Sequence, residues 1–288
     1  MEEIVSKADG VFLCAVLIVK SLLDGLTNRD SIEDLQRRLR LLPTDLESLY
    51  QHVLFFRINR FYRRKASELF QTVRATLGMS ESLEHDGDVG YQLRTVLLLS
   101  MAMEPDRYTC SDSGLSHYRH PLRAPDISTR RQVMEGRLKC YSASILEVQA
   151  SSHLTGTSEA HKAEATAGRV QFLHRTIRDY LEQLDVWDAF LVYTNGTAFS
   201  PHASLLNARI LYLKLVEHSG HGLGELGASI ICITHAHHAE ITTRKSYASL
   251  LDELDRTMAS YFSQASSTTG LISSLATEVY RPLRTVRF

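Results

Sequence analysis

Three consecutive residues, His174, Arg175 and Thr176, fall inside the stretch RVQFLHRTIRDYLEQL, where alternating apolar positions give way at the histidine to helical spacing. An imidazole beside a helix start can cap the helix, bond within a core, or reach an anion. Other constellations compete for attention. His235, His237, His238 and Glu240 crowd into six residues, which invites a metal. On a helix only His235 with His238, or His237 with Glu240, would share a face, and no H-E-x-x-H pattern is present. A satisfied or solvent-facing cluster is the favoured expectation, with no metal bound.

Gly222, Gly224 and Gly227 match G-x-G-x-x-G. They follow an apparent helix rather than the strand that brings backbone to a pyrophosphate, so a flexible helix-to-helix connection is expected there. Arg57, Arg60, Arg63, Arg64 and Lys65, interleaved with Phe61 and Tyr62, form the densest basic run. On a winged helix such a run could line phosphates, but a solvated or interdomain helix face is the preferred reading and nucleic acid is not expected. No G-x-S-x-G elbow exists and Cys140 stands in no nucleophile signature, so the chain is not expected to be an enzyme.

Composition bounds these choices. The chain has 288 residues, 44% hydrophobic and 23% charged, with a formal charge of −1, which suffices for a sizeable core and gives no global pull toward nucleic acid or anionic membrane. Cys14, Cys110, Cys140 and Cys232 lie far apart without a C-x-x-C pair, so a reducing, cytoplasmic compartment is expected. The Asn195-Gly196-Thr197 sequon is taken as chance, because the acidic start MEEIVSKADG is unlike a signal peptide. The apolar run from Val11 to Val19 is interrupted by Lys20 and Asp24, short of the about 20 residues that a membrane span needs.

The elements that must position these residues are mostly helical. Ile4 to Leu26 reads as a mostly buried helix. Asp30 or Ser31 caps a short helix whose Ile32, Leu35, Leu39 and Leu42 form one stripe, ended by Pro43. Thr44-Asp45-Leu46-Glu47 has the form of a capping box, and helical spacing then runs through Leu54 and, after a break at Asn59, from Tyr62 to Leu77. YQLRTVLLLSMAM is a buried helix, a loop covers Pro105 to Pro125, and Ile127 to Tyr141 is again helical. Ser144 to Val148 and Arg169 to Leu173 have strand character. SLLNARILYLKLVEH and SYASLLDELDRTMASYF are helical.

The expected fold class is therefore mainly α: a helical bundle with a winged-helix-like domain, whose β-hairpin has two strands, and a C-terminal helical region. The corresponding divisions are 1–43, a helical segment; 44–200, the winged-helix-like domain with a disordered insertion around 150–168; 201–263, helical; and 264–288, a flexible tail bearing Arg281, Arg284 and Arg287.

KADGVFLCAVLIVKSLLDGLTNRDSIEDLQRRLRLLPTDLESLYQHVL, with FYRRKASELFQ, VQFLHRTIRDYL and LLDELDRT, resembles the region C-terminal to the nucleotide-binding core of fungal NACHT proteins, which are STAND-class signalling NTPases related to NOD-like receptors. The likeness spans roughly residues 4 to 262 and departs at Cys14, where the family more often has tryptophan. It implies a non-catalytic arm that packs on the NACHT core, 1–43 included, couples ADP or ATP state to opening, and takes part in homo-oligomers. It also implies that Phe172, His174 and Thr176 match the segment whose histidine reaches the phosphate of ADP, with Arg175 beside it. A helix start would favour such a contact. A P-loop requires a Gly-Lys pair and this chain has none, so hydrolysis is not expected of it alone; the core would be encoded upstream, or the chain is a truncated paralogue. The competing alternatives are a winged-helix nucleic-acid binder and a cryptic enzyme.

Overall fold

The computed structural model describes residues 12–43, 45–82, 95–104, 123–149, 168–215 and 222–266. Among them the chain is mainly helical, with eleven α-helices and one two-stranded antiparallel sheet. The N-terminal part of the first expected helix, residues 83–94 with the expected start of the YQLRTVLLLSMAM helix, most of the loop expected over Pro105 to Pro125, most of the insertion at 150–168 and the tail beyond 266 lie outside the described residues. So do Cys110, Arg281, Arg284 and Arg287.

The chain divides into two compact units. The first takes Met1–Phe70, Glu135–Val148 and Val170–Thr197. Its leading elements are α1 (Phe12–Thr27) and α2 (Ile32–Leu41), which pack on each other. Leu13, Leu17 and Ile18 are buried in α1, whereas Val19, Leu23 and Leu26, one helical stripe, are exposed. A Cβ on Gly25 would stand 2.7 Å from both Asp30 Oδ2 and Leu35 Cδ2, so any larger residue there would force these side-chain ends to shift. Ser31 caps α2 in a full capping box with Asp34, while Asp30 pairs with Arg38 at 2.5 Å.

The helix α3 (Leu46–Gln51) starts one residue later than the expected Thr44 box. Its cap is Asp45, whose carboxylate accepts the Ser48 N–H at 2.8 Å. An ionised carboxylate is a stronger acceptor for these free N–H groups than a hydroxyl. The chain then widens into a π-helix, His52–Arg57, which the even apolar spacing did not announce. Ile58, in extended conformation, ends it, Asn59 caps the 3-10 turn Arg60–Tyr62, and α4 (Arg63–Ser82) follows.

After α6 (Ala124–Ser142), β1 is Leu146–Gln149 rather than Ser144–Val148, because Ala143 and Ser144 turn the chain in the left-handed region at φ 48° and 64°. It pairs with β2 (Arg169–Phe172), which leads into α7 (Arg175–Leu181) and α8 (Leu184–Leu191). Phe190 of α8 packs edge-on to Phe70, and Ser67 Oγ donates to its carbonyl at 2.7 Å.

The second unit takes Gln71–Met134, Gln149–Arg169 and Ala198–Phe288. Its centre is α5 (Val96–Ala102), all seven residues of which are buried, packed on α9 (Pro201–Leu215). The helices α10 (Gly222–Thr243) and α11 (Ala248–Ser266) pack on α9 and on each other. Leu98, Met101, Leu206, Ile210, Cys232 and Leu254 belong to the common core. The three glycines of the G-x-G-x-x-G match begin α10 and do not form the expected flexible link. Among the described residues the element before them is the helix α9, not the strand that turns such a backbone toward a pyrophosphate.

Candidate functional site

His174 stands where β2 ends and α7 begins, and it is the N-cap of α7: its backbone is extended at φ −154° and ψ 149°. The ring folds back so that Nδ1 accepts the Thr176 backbone N–H at 3.2 Å. Thr176 Oγ1 lies 2.9 Å from the same nitrogen and 2.6 Å from the hydroxyl of Tyr50, a residue of α3. Tyr50 is buried and its ring meets that of Tyr180 at a centroid distance of 5.4 Å. Burial raises the Tyr50 hydroxyl above the ordinary phenol range, although the bond to Thr176 works the other way. His174 and Arg175 are exposed, and Thr176 is half-buried.

The three sequence-expected site residues thus fall on one short turn, with His174 in a capping role. The Thr176 N–H is spent on the ring, and the Ile177 N–H bonds the His174 carbonyl at 3.2 Å. The seven-residue helix therefore offers less to an anion than the expected open helix start. What faces outward is the Nε2 edge of His174, for which no partner exists among the described residues. Tyr50 escaped sequence reading because it lies 126 positions from Thr176 and its apolar-period neighbours mark it only as core.

The second candidate cluster opens out on α10. His235 is buried and its Nδ1 lies 2.9 Å from Nδ1 of His202 on α9, whose ring also stacks on His238 at 4.8 Å. Burial, with His238 nearby, pushes His202 down to about 4. Burial, with His202, Arg209 and His238 around it, pushes His235 down to about 3. Glu240 instead accepts the Tyr247 N–H at 2.8 Å, and His237 is exposed. No group of three His, Cys, Asp or Glu among the described residues is arranged to hold a metal.

The basic run is largely committed within the first unit. Arg57 pairs with Asp24, and Arg63 donates to the Phe55 carbonyl at 2.9 Å and to the Tyr193 hydroxyl at 3.2 Å. Arg64 and Lys65 share Glu68 at 2.9 and 2.8 Å. Arg60 is exposed beside Phe61, which is 83% exposed. Among the described residues no helix is long and apolar enough to cross a membrane.

A mainly helical chain with a two-stranded sheet feeding a histidine-capped helix is the class that these observations define. Residues 57–224 match the domain of unknown function DUF7791, and the chain belongs to that family. The match begins at Arg57, the last residue of the π-helix, and takes in α4, the sheet, His174 and the start of α10. No curated protein and no solved structure matches the chain.

Proposed function

We propose that this chain is the non-catalytic regulatory and interaction arm of a NACHT-type signalling NTPase, coupling the nucleotide state of a partner core to conformational switching. The observation that carries the proposal is the placement of His174: an exposed imidazole held at a sheet-to-helix junction, with Nδ1 tied back to Thr176 and the Nε2 edge outward. That edge suits a phosphate oxygen of ADP or ATP held by the core, with Arg175 exposed beside it. The arm itself would carry no cofactor.

Docking onto the core is supported by the outer face of α1, where Val19, Leu23 and Leu26 are 42%, 54% and 56% exposed. A helix that is apolar on both faces is suited to burial on both. The resemblance in sequence also favours a cytoplasmic protein able to assemble into homo-oligomers. The commitment of Arg57, Arg63, Arg64 and Lys65 to partners within the chain weighs against the nucleic-acid alternative.

The test uses the arm joined to its nucleotide core. His174→Ala removes one charge-assisted hydrogen bond and should speed ADP release about tenfold. An unchanged release rate, with the variant folded, sinks the proposal.

A further inference from the structure

We infer that Tyr50 is the positioning residue for His174: through Thr176 Oγ1, its hydroxyl holds the imidazole in the Nε2–H tautomer and presents His174 outward as a hydrogen-bond donor. What the donor serves rests on the function proposed above; the wiring itself does not.

Counting protons around the three residues fixes the direction. Tyr50 is 3% exposed, and among the described residues Thr176 Oγ1 is the sole partner of its hydroxyl, at 2.6 Å. Burial keeps the phenol protonated, so the Tyr50 O–H has a proton to place and one oxygen to receive it. Thr176 Oγ1 then accepts from Tyr50, and its single proton is left to point at His174 Nδ1, 2.9 Å away. The Thr176 backbone N–H, 3.2 Å from the same nitrogen, has no choice of direction. Two donors converge on Nδ1, which must be the unprotonated nitrogen of the neutral ring, and the ring proton resides on Nε2.

The opposite wiring fails at both ends. A proton on Nδ1 would face the Thr176 N–H head-on, and the threonine proton would have to turn toward Tyr50. The buried phenol would then hold a proton with no acceptor, a cost that buried polar groups rarely bear. Backbone geometry alone accounts for one of the two donors; Tyr50 enforces the second. Because Tyr50 sits on α3 and the ring on the β2 to α7 turn, the tautomer also depends on the packing of α3 against α7.

The experiment is long-range 1H–15N correlation on the full chain labelled at histidine, with the His174 signals assigned by their loss in His174→Gln. In the wild type at neutral pH, Nε2 should resonate as a protonated nitrogen and Nδ1 as an unprotonated one. Tyr50→Phe keeps the ring in the core and should move both nitrogens toward the average of the two tautomers. Thr176→Val should do the same and Thr176→Ser should leave them at wild-type values, so the result does not hang on the folding of one variant. An Nδ1–H tautomer in the wild type, or nitrogens unmoved by Tyr50→Phe and by Thr176→Val, overturns the inference. ADP release unaffected by His174→Ala would sink the proposed function and leave the tautomer result standing, so the two failures are separable.

Discussion

The Nδ1 atoms of His202 and His235 lie 2.9 Å apart across the α9 to α10 packing of the second unit. One of the two must carry its proton on Nδ1 and the other on Nε2, so the bond exists only while at least one ring is neutral. Arg209, buried nearby, adds positive charge that opposes protonating His235.

Acid should therefore loosen the second unit before it titrates the folded histidines. Both folded values, about 4 for His202 and about 3 for His235, lie below the ordinary 6.5. The unfolded chain thus binds more protons wherever the pH is below about 6.5, and stability falls as the pH falls from there toward 4. For His235 the slope is about 1.4 kcal/mol per pH unit within that window. Urea midpoints measured between pH 7.5 and 4.5 should drop steadily below pH 6.5, and His202→Phe combined with His235→Leu should flatten the profile. A midpoint independent of pH in the wild type would contradict the burial of this pair.

Two glycines should respond in opposite directions to the same substitution. Gly25→Ala drives a methyl against Asp30 and Leu35, disturbing the pairing of Arg38 with Asp30 just before the α2 cap, and should destabilise the first unit by about 1–3 kcal/mol. Gly136 lies within α6 with nothing inside 4 Å of the added carbon, so Gly136→Ala should stabilise by about 0.5–1 kcal/mol. Thermal unfolding of the two variants beside the wild type decides the matter.

How far this fold could be read from residues alone depended on the range of the interaction concerned. The helices came from spacing within a few turns: Val96 to Ala102 needed only its apolar run, interrupted by Ser100 alone, whereas the cap of α2 was narrowed to Asp30 or Ser31 and the structure puts it at Ser31. The sheet partners were legible from β-branched and aromatic content, but their edges moved by one or two residues where Ala143 and Ser144 turned. The π-helix at His52–Arg57 leaves the apolar period intact over so short a stretch that nothing local betrays it. His174 was visible as a change of period. Its partner Tyr50, and the partner His202 of His235, were not, since each lies far along the chain and only packing brings it in.

Cysteine reactivity should separate by burial. Cys14 and Cys232 are buried, and burial pushes the Cys232 thiol up to about 12, leaving almost no thiolate at neutral pH. Cys140 is exposed on α6. Brief alkylation of the native chain followed by peptide mapping should modify Cys140, and should modify Cys14 and Cys232 only after denaturant is added. Early modification of Cys232 would mean that the second unit opens locally under native conditions.

The basic run yields the last test, because its members do different work within a few residues. The Arg57 guanidinium is mostly buried, burial lowers it from the ordinary arginine range, and the Asp24 carboxylate opposes that shift. Removing it would leave Asp24 without its partner and a gap beside α1, so Arg57→Ala should cost about 1–3 kcal/mol of stability, part of it screened because Asp24 is half exposed. Arg60, exposed on the 3-10 turn, has no such contact among the described residues, and Arg60→Ala should change stability by less than about 0.5 kcal/mol. Denaturant unfolding of the two variants distinguishes structural cations from a functional patch: equal and negligible effects would mean that Arg57 is free to meet an outside partner, whereas a loss confined to Arg57 places the run in the architecture of the first unit.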